Sequence, residues 1–189
     1  MIKIYVDMDG VMSDWTGEIL KITGLPRISM FNKHPDASTI QAELYKNNPE
    51  LFLNLSYISK FTDLFQYMKK LKDRGYPVSL HVLSAVGETH PDKELVRSNK
   101  LEWLSKLKTS HGIVFDDHII VDRSADKAQY SNDTSILVDD YYKNCNQFVM
   151  QGGHAVCLGE EGNYDPHKSG EELVSIICSI LDEKQSFIA

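Results

Sequence analysis

Apolar and polar positions along the chain switch between two periods. Met1-Ile2-Lys3-Ile4-Tyr5-Val6 is a short run rich in β-branched and aromatic residues, the mark of a buried strand. It stops abruptly at Asp7-Met8-Asp9-Gly10-Val11. From Trp15 to Thr23 the pattern predicts a short helix, closed by Gly24-Leu25-Pro26. Ile28 to Phe31 carries no decisive signal. Another helix is expected from Pro35-Asp36 to Tyr45, with Asp36 as its N-cap, and Asn47-Asn48-Pro49 breaks it. No strand pattern occurs between Ser13 and Tyr57, so this stretch reads as a small helical insert.

Beyond the insert, Phe61, Leu64, Phe65, Met68 and Leu71 recur at helical spacing and predict an amphipathic helix over Phe61–Lys72. Val78–Leu83 is a second strand, ending at Ser84. A helix is expected over Asp92–Leu107 and a short strand over Ile119–Val121. Ser135–Val138 is another apolar strand, and it runs straight into Asp139-Asp140. A helix over Tyr141–Met150, a strand over His154–Leu158 and an amphipathic helix over Glu171–Leu181 follow, with Glu183–Ala189 as a loose tail. Strands that alternate with helices predict an α/β fold, a parallel sheet with helices on both faces in three α/β/α layers.

A length of 189 residues suits one domain with room for a modest insertion. The formal net charge of -7 argues against non-specific attraction to a nucleic-acid backbone, and no stable nucleic-acid binding is expected. A phosphate-bearing small molecule is still compatible if a few cations and a metal make the pocket locally positive. Cys145, Cys157 and Cys178 are widely spaced, which fits reduced thiols in a cytosolic protein better than a disulfide framework or a zinc site. No apolar run is long enough to span a membrane, and the first residues do not read as a signal peptide. A cytoplasmic protein is the expectation; the oligomeric state is left open.

Two carboxylates one residue apart, followed by a glycine, do not continue a buried strand. At the carboxyl end of a strand in an open α/β sheet they face the crevice where ligands bind. Held so close, each disfavours ionisation of the other unless a cation or a shared proton relieves them. Gly10 lets the chain turn sharply there. A lone Asp-x-Asp-Gly is equally a solvated turn.

The longer stretch DMDGVMSDW, Asp7 to Trp15, resembles the opening motif of the haloacid dehalogenase superfamily of phosphatases. Its DMDGV-x-x-D-aromatic form is most similar to the 5′(3′)-deoxyribonucleotidases. The resemblance implies a Rossmann-like core over residues 1–13 and 57–189, with the insert, residues 14–56, as a helical cap. It implies that Asp7 is a nucleophile forming an aspartyl-phosphate, and that Asp9 is the general acid and base. Ser84, at the end of an apolar strand, matches the phosphate-binding hydroxyl, and Lys127 the lysine that neutralises nucleophile and phosphate. Asp139-Asp140 matches the acidic pair that holds Mg²⁺. The side chains of Asp7 and Asp139 and the backbone carbonyl of Asp9 would be ligands, and Asp140 would act from just outside them.

Trp15 and Phe52 fall where the family places aromatics that sandwich a base, although packing of the cap explains both equally well. SNKLEWLSKL, from Ser98, resembles the family's K-x-x-W helix. The cap is shorter than the family's, and Arg123 stands farther from Lys127 than the family's arginine. The expected activity is Mg²⁺-dependent hydrolysis of a phosphate monoester, above all a (deoxy)nucleoside monophosphate. A polynucleotide 3′-phosphatase or a phosphatase of another small metabolite is the alternative. A receiver domain shares the residue types but orders them differently, with its lysine near the end and no insert after the first motif.

Overall fold

Each of the apolar runs forms a strand of one parallel sheet. The computed structural model describes residues 1–88, 90–159 and 163–186. The strands are β1 (Ile2–Val6), β2 (Val78–Ala85), β3 (Asp117–Val121), β4 (Ser135–Asp139) and β5 (His154–Cys157), in the spatial order β3-β2-β1-β4-β5. The first strand is therefore the central one. Val6 is in register with Val82 on one side and Val138 on the other. That register decides where the chemistry lies. The next residues, Asp7 and Asp139, therefore come side by side at the carboxyl edge of the sheet, and Ser84, one residue before the end of β2, lies on the neighbouring strand at the same edge.

Helices α4 (Phe61–Asp73), α5 (Lys93–His111) and α7 (Pro166–Ser186) cover one face. Their apolar positions, including Leu64, Met68, Trp103, Leu107, Leu173 and Ile177, close over Ile4, Val6, Val82 and Val138 in the main core. The steps from β1 to β2 and from β2 to β3 run in the same direction, so right-handed crossovers place α4 and α5 together. The β3–β4 connection must return past β1 on the other side. It holds only a 3₁₀ turn (Ser124–Tyr130), so that face is covered by this turn and α6 (Tyr142–Met150) over a small cluster of Tyr5, Leu83, Leu137 and Phe148. The architecture is the expected three-layer α/β/α fold, with a thin third layer.

Between β1 and α4 lie α1 (Trp15–Thr23), α2 (Ile28–Asn32), α3 (Ala37–Asn47) and a 3₁₀ turn (Leu51–Leu53). The segment that carried no decisive signal is thus a short helix. These elements share their own apolar cluster, with Ile19, Phe31, Leu44, Tyr45 and Phe52 at its centre and Val86 and Val96 at the seam with the sheet layer. The two connecting strands of the insert run together: Ser13 bridges Tyr57, Asp14 N–H donates to the Ser56 carbonyl at 2.8 Å, and Ile58 N–H donates to the Met12 carbonyl at 2.8 Å. Helix α5 grips the insert from the other layer. Asn99 Nδ2 donates to the Pro49 carbonyl and Trp103 Nε1 to the Leu55 carbonyl, each at 2.8 Å.

Three expectations need correction. Asp36 occupies the N-cap position of α3, but its side chain makes no capping bond. Helix α5 continues past Leu107 to His111, where Gly112 closes it in a left-handed conformation. Helix α7 begins at Pro166, well before Glu171, and runs on through residue 186, part of the expected tail; residues 187–189 lie outside the described residues. Apolar periodicity missed these ends because they are polar. Asp165 accepts from His167 N–H at 2.9 Å ahead of a proline at the first helical position, and this start was written in the sequence. Among the described residues no helix is long and apolar enough to cross a membrane.

Candidate active site

The loop after β1 folds back on itself: Met12 and Ser13 N–H groups donate to the Met8 carbonyl at 2.8 and 2.9 Å. Met8, Val11 and Met12 are fully buried beneath it. In an extended chain alternate residues face opposite ways, so burying Met8 turns Asp7 and Asp9 toward the crevice. Gly10 has φ +77°, and a Cβ there would lie 2.0 Å from Asp140 Oδ2. Only glycine allows that carboxylate to approach the loop.

Asp7, Asp139 and Asp140 each bring a carboxylate oxygen within 4.8 Å of the others. Lys127, fully buried on the 3₁₀ turn, donates to Asp139 Oδ2 at 2.7 Å and lies 2.9 Å from Asp7 Oδ2. Burial works against its ammonium, but the charges of Asp139 and Asp7 prevail and hold it protonated above the usual lysine range. Asp139 is also bonded by Asn144 Nδ2 and by Tyr141 N–H at 2.9 Å. Burial, then the charges of Asp139 and Asp7, drive the Asp140 carboxyl well above its ordinary range. Asp7 Oδ1 is buried and has no hydrogen-bond partner among the described residues. Three carboxylates around one ammonium leave negative charge uncompensated, and the donors are all hard oxygens. That set fits a divalent cation such as Mg²⁺, which takes oxygen ligands.

A second buried lysine serves the other carboxylate. Lys100 of α5 is fully buried, with its Nζ 2.5 Å from Asp9 Oδ2 and 3.0 Å from Ser84 Oγ. Ser13 Oγ donates to Asp9 Oδ1 at 3.0 Å. The Lys100 ammonium also stands 4.9 Å from the centre of the Phe52 ring, a cation–π distance.

Asp7, Asp9, Ser84, Lys127 and Asp140 line one cavity of about 290 Å³ together with Trp15 and Phe52. Ile28, Gln41 and Tyr45 of the insert complete its upper wall. Asp139 lies beneath it, fully buried. Arg123 is not part of this wall: it pairs with Asp126 at 2.7 Å within its own turn. Sequence reasoning missed Lys100, Asn144, Gln41 and Tyr45 as site residues. Lys100 did leave a signal, because it falls on the stripe of Val96, Trp103, Leu104 and Leu107 that α5 buries. A lysine on an apolar stripe needs a partner.

No protein-family model matches the sequence, and no curated protein does either. Among solved structures, a phosphonoacetaldehyde hydrolase-like protein from Oleispira antarctica superposes with a TM-score of 0.52 at 12% identity, over 96% of this chain and 84% of that one. D,D-heptose 1,7-bisphosphate phosphatase from Burkholderia thailandensis gives 0.47 at 9% identity, over 81% and 75%. A predicted HAD-like family hydrolase from Porphyromonas gingivalis gives 0.39 at 13%, over 92% and 98%. At such identities the likeness is one of architecture: the chain shares the α/β fold of the phosphonoacetaldehyde hydrolase-like protein.

Proposed function

We propose that the protein is a Mg²⁺-dependent phosphomonoesterase that works through an aspartyl-phosphate on Asp7 and acts on nucleoside monophosphates. The observation that carries this reading is the pair of carboxylates in one cavity with opposite bonding. Asp7 has one oxygen held by Lys127 and the other without a hydrogen-bond partner among the described residues, whereas both oxygens of Asp9 are occupied, one of them by an ammonium. The first is arranged as a nucleophile, the second as a proton carrier.

Hydrolysis of a phosphate monoester needs positioning and charge neutralisation more than covalent ingenuity. Asp7 Oδ1 attacks phosphorus in line with the leaving oxygen, while Lys127 Nζ and the Ser84 hydroxyl face the charge that spreads over the phosphoryl oxygens and Lys100, buried behind them, holds Asp9 and Ser84. Asp9 delivers to the leaving oxygen the proton held between its Oδ2 and Lys100 Nζ, and the alcohol departs. Water then attacks the aspartyl-phosphate, Asp9 takes its proton, and inorganic phosphate and the Asp7 carboxylate are released. Asp7, Asp139 and Asp140 would hold the cation, which when bound supplies further neutralisation of the phosphoryl oxygens and of the three carboxylates. The roof of the cavity, with Trp15 and Phe52 above the charged floor, favours a flat aromatic leaving group and hence a nucleotide.

Phosphate release from a panel of nucleoside monophosphates, with Mg²⁺ and with chelator, tests the whole reading. Release is expected with Mg²⁺ and lost with chelator. Failure to hydrolyse any monoester would sink it, and hydrolysis of small esters alone would remove the nucleotide part.

A further inference from the structure

The hydroxyl of Tyr45 sits in the roof with a lone pair already engaged, because Gln41 Nε2 donates to it at 2.9 Å. An amide N–H only donates, and a phenol offers two acceptor positions and one hydrogen. The amide does not take that hydrogen, so it has to be given to something else.

Its position is fixed. The ring is almost wholly buried and packs on Phe52 and His90, with centres 5.5 and 4.9 Å apart. Tyr45, Gln41 and Trp15 all line the cavity that contains Asp7 and Asp9. An occupant that enters the cavity without an acceptor at this point leaves a desolvated O–H unpaired, which is costly. One that brings an acceptor completes the set.

We propose that Tyr45 is a specificity-determining residue whose hydroxyl, left by Gln41 with its hydrogen to give, grips an acceptor atom on the leaving alcohol. The enzyme then selects phosphate esters of alcohols that carry a ring carbonyl, ether oxygen or ring nitrogen over those that carry none. This rests on the phosphatase reading above and adds to it the chemistry of the substrate's far end.

The test compares thymidine 5′-monophosphate, rich in acceptors, with phenyl phosphate, whose ring has none, on the wild-type protein and on Tyr45→Phe. The variant should lose roughly 5–10-fold in kcat/KM for the nucleotide, carried by KM, the scale of one net hydrogen bond. Phenyl phosphate should be hydrolysed as before. Gln41→Glu provides an independent arm: its carboxylate captures the phenolic hydrogen, so the ratio between the two substrates should fall as in Tyr45→Phe. Equal effects on both substrates in both variants would overturn the proposal. So would a wild-type protein that hydrolyses phenyl phosphate but not the nucleotide, and this outcome leaves the phosphatase reading standing. A wild-type protein inactive on both overturns that reading and this inference together.

Discussion

The floor of the cavity and its roof are held by different forces. Asp7, Asp139 and Asp140 meet around Lys127 at the strand ends, where each charge is kept in place by the others and by burial. Trp15, Gln41, Tyr45 and Phe52 belong to an insert whose position comes from apolar packing and from two bonds to α5. Removing the floor's ammonium therefore leaves buried carboxylates without their counterpart, and removing a carboxylate takes away a charge the site is built around, whereas removing one roof residue takes away surface and hydrogen bonds. The floor should tolerate almost nothing, and the roof should tolerate change at the expense of selectivity.

The sharpest probe of the floor is Asp7→Asn. The amide keeps the shape but cannot attack phosphorus, so turnover should fall by at least about 10³-fold. Stability should hold or rise, because one of three crowded carboxylates has been neutralised. Near-normal activity in a homogeneous preparation would end the covalent mechanism.

Lys127→Met addresses the same cluster through its cation. Leaving Asp7 and Asp139 buried without it should cost about 3–5 kcal/mol of unfolding free energy, read from urea denaturation. Lys100→Met should cost less, since its partner Asp9 keeps 24% of its side-chain surface exposed and retains Ser13. The reverse order would show that burial of the partner carboxylates does not set how strongly the floor depends on its cation.

Mg²⁺ itself should raise the melting temperature of the protein, by an amount equivalent to about 2.7 kcal/mol when free ion exceeds its Kd about a hundredfold. Asp139→Asn should abolish that shift, while Trp15→Ala should leave it intact. A shift that survives in Asp139→Asn would place the ion elsewhere.

The smallest effects belong to the roof. Trp15→Ala should weaken nucleotide binding by roughly 1–3 kcal/mol, the range of base–aromatic stacking, and leave phenyl phosphate much less affected. Phe52 is almost wholly buried and packs on Tyr45 and His90, so Phe52→Leu is the fairer variant, because alanine there would open a cavity in the insert. Equal losses on both substrates would make these aromatics packing residues only.

This division also explains what was legible beforehand. Carboxylates directly after an apolar strand are anomalous, and register does the rest. Asp7 and Asp139 could be expected side by side once β1 and β4 were expected as parallel strands. Lys127 was visible only through a motif, because nothing local distinguishes it from a solvated lysine. Lys100 was noticed as the lysine of the K-x-x-W resemblance and lay on the buried stripe of α5, but it was given no role in the site, since nothing along the helix tells which carboxylate an inward lysine meets. Gln41 and Tyr45 left no trace, because their importance comes from the way α3 stands over a cavity that the distant strands enclose. The polar ends of α5 and α7 escaped for a simpler reason: apolar periodicity is silent where a helix projects into water.

The pairing of Ser13 with Tyr57 has a consequence for how such a protein can diversify. The chain leaves and re-enters the sheet layer at a single point, and the loop that carries Asp7 and Asp9 closes its hydrogen bonds at Ser13, the first residue of that point. Anything threaded between the two stems has its ends already joined, so lengthening or shortening it changes closure entropy only slowly. Asp7 and Asp9 stay on the sheet side of the stem. The stem thus acts as a socket, into which inserts of different size and lining can be exchanged over the same carboxylates.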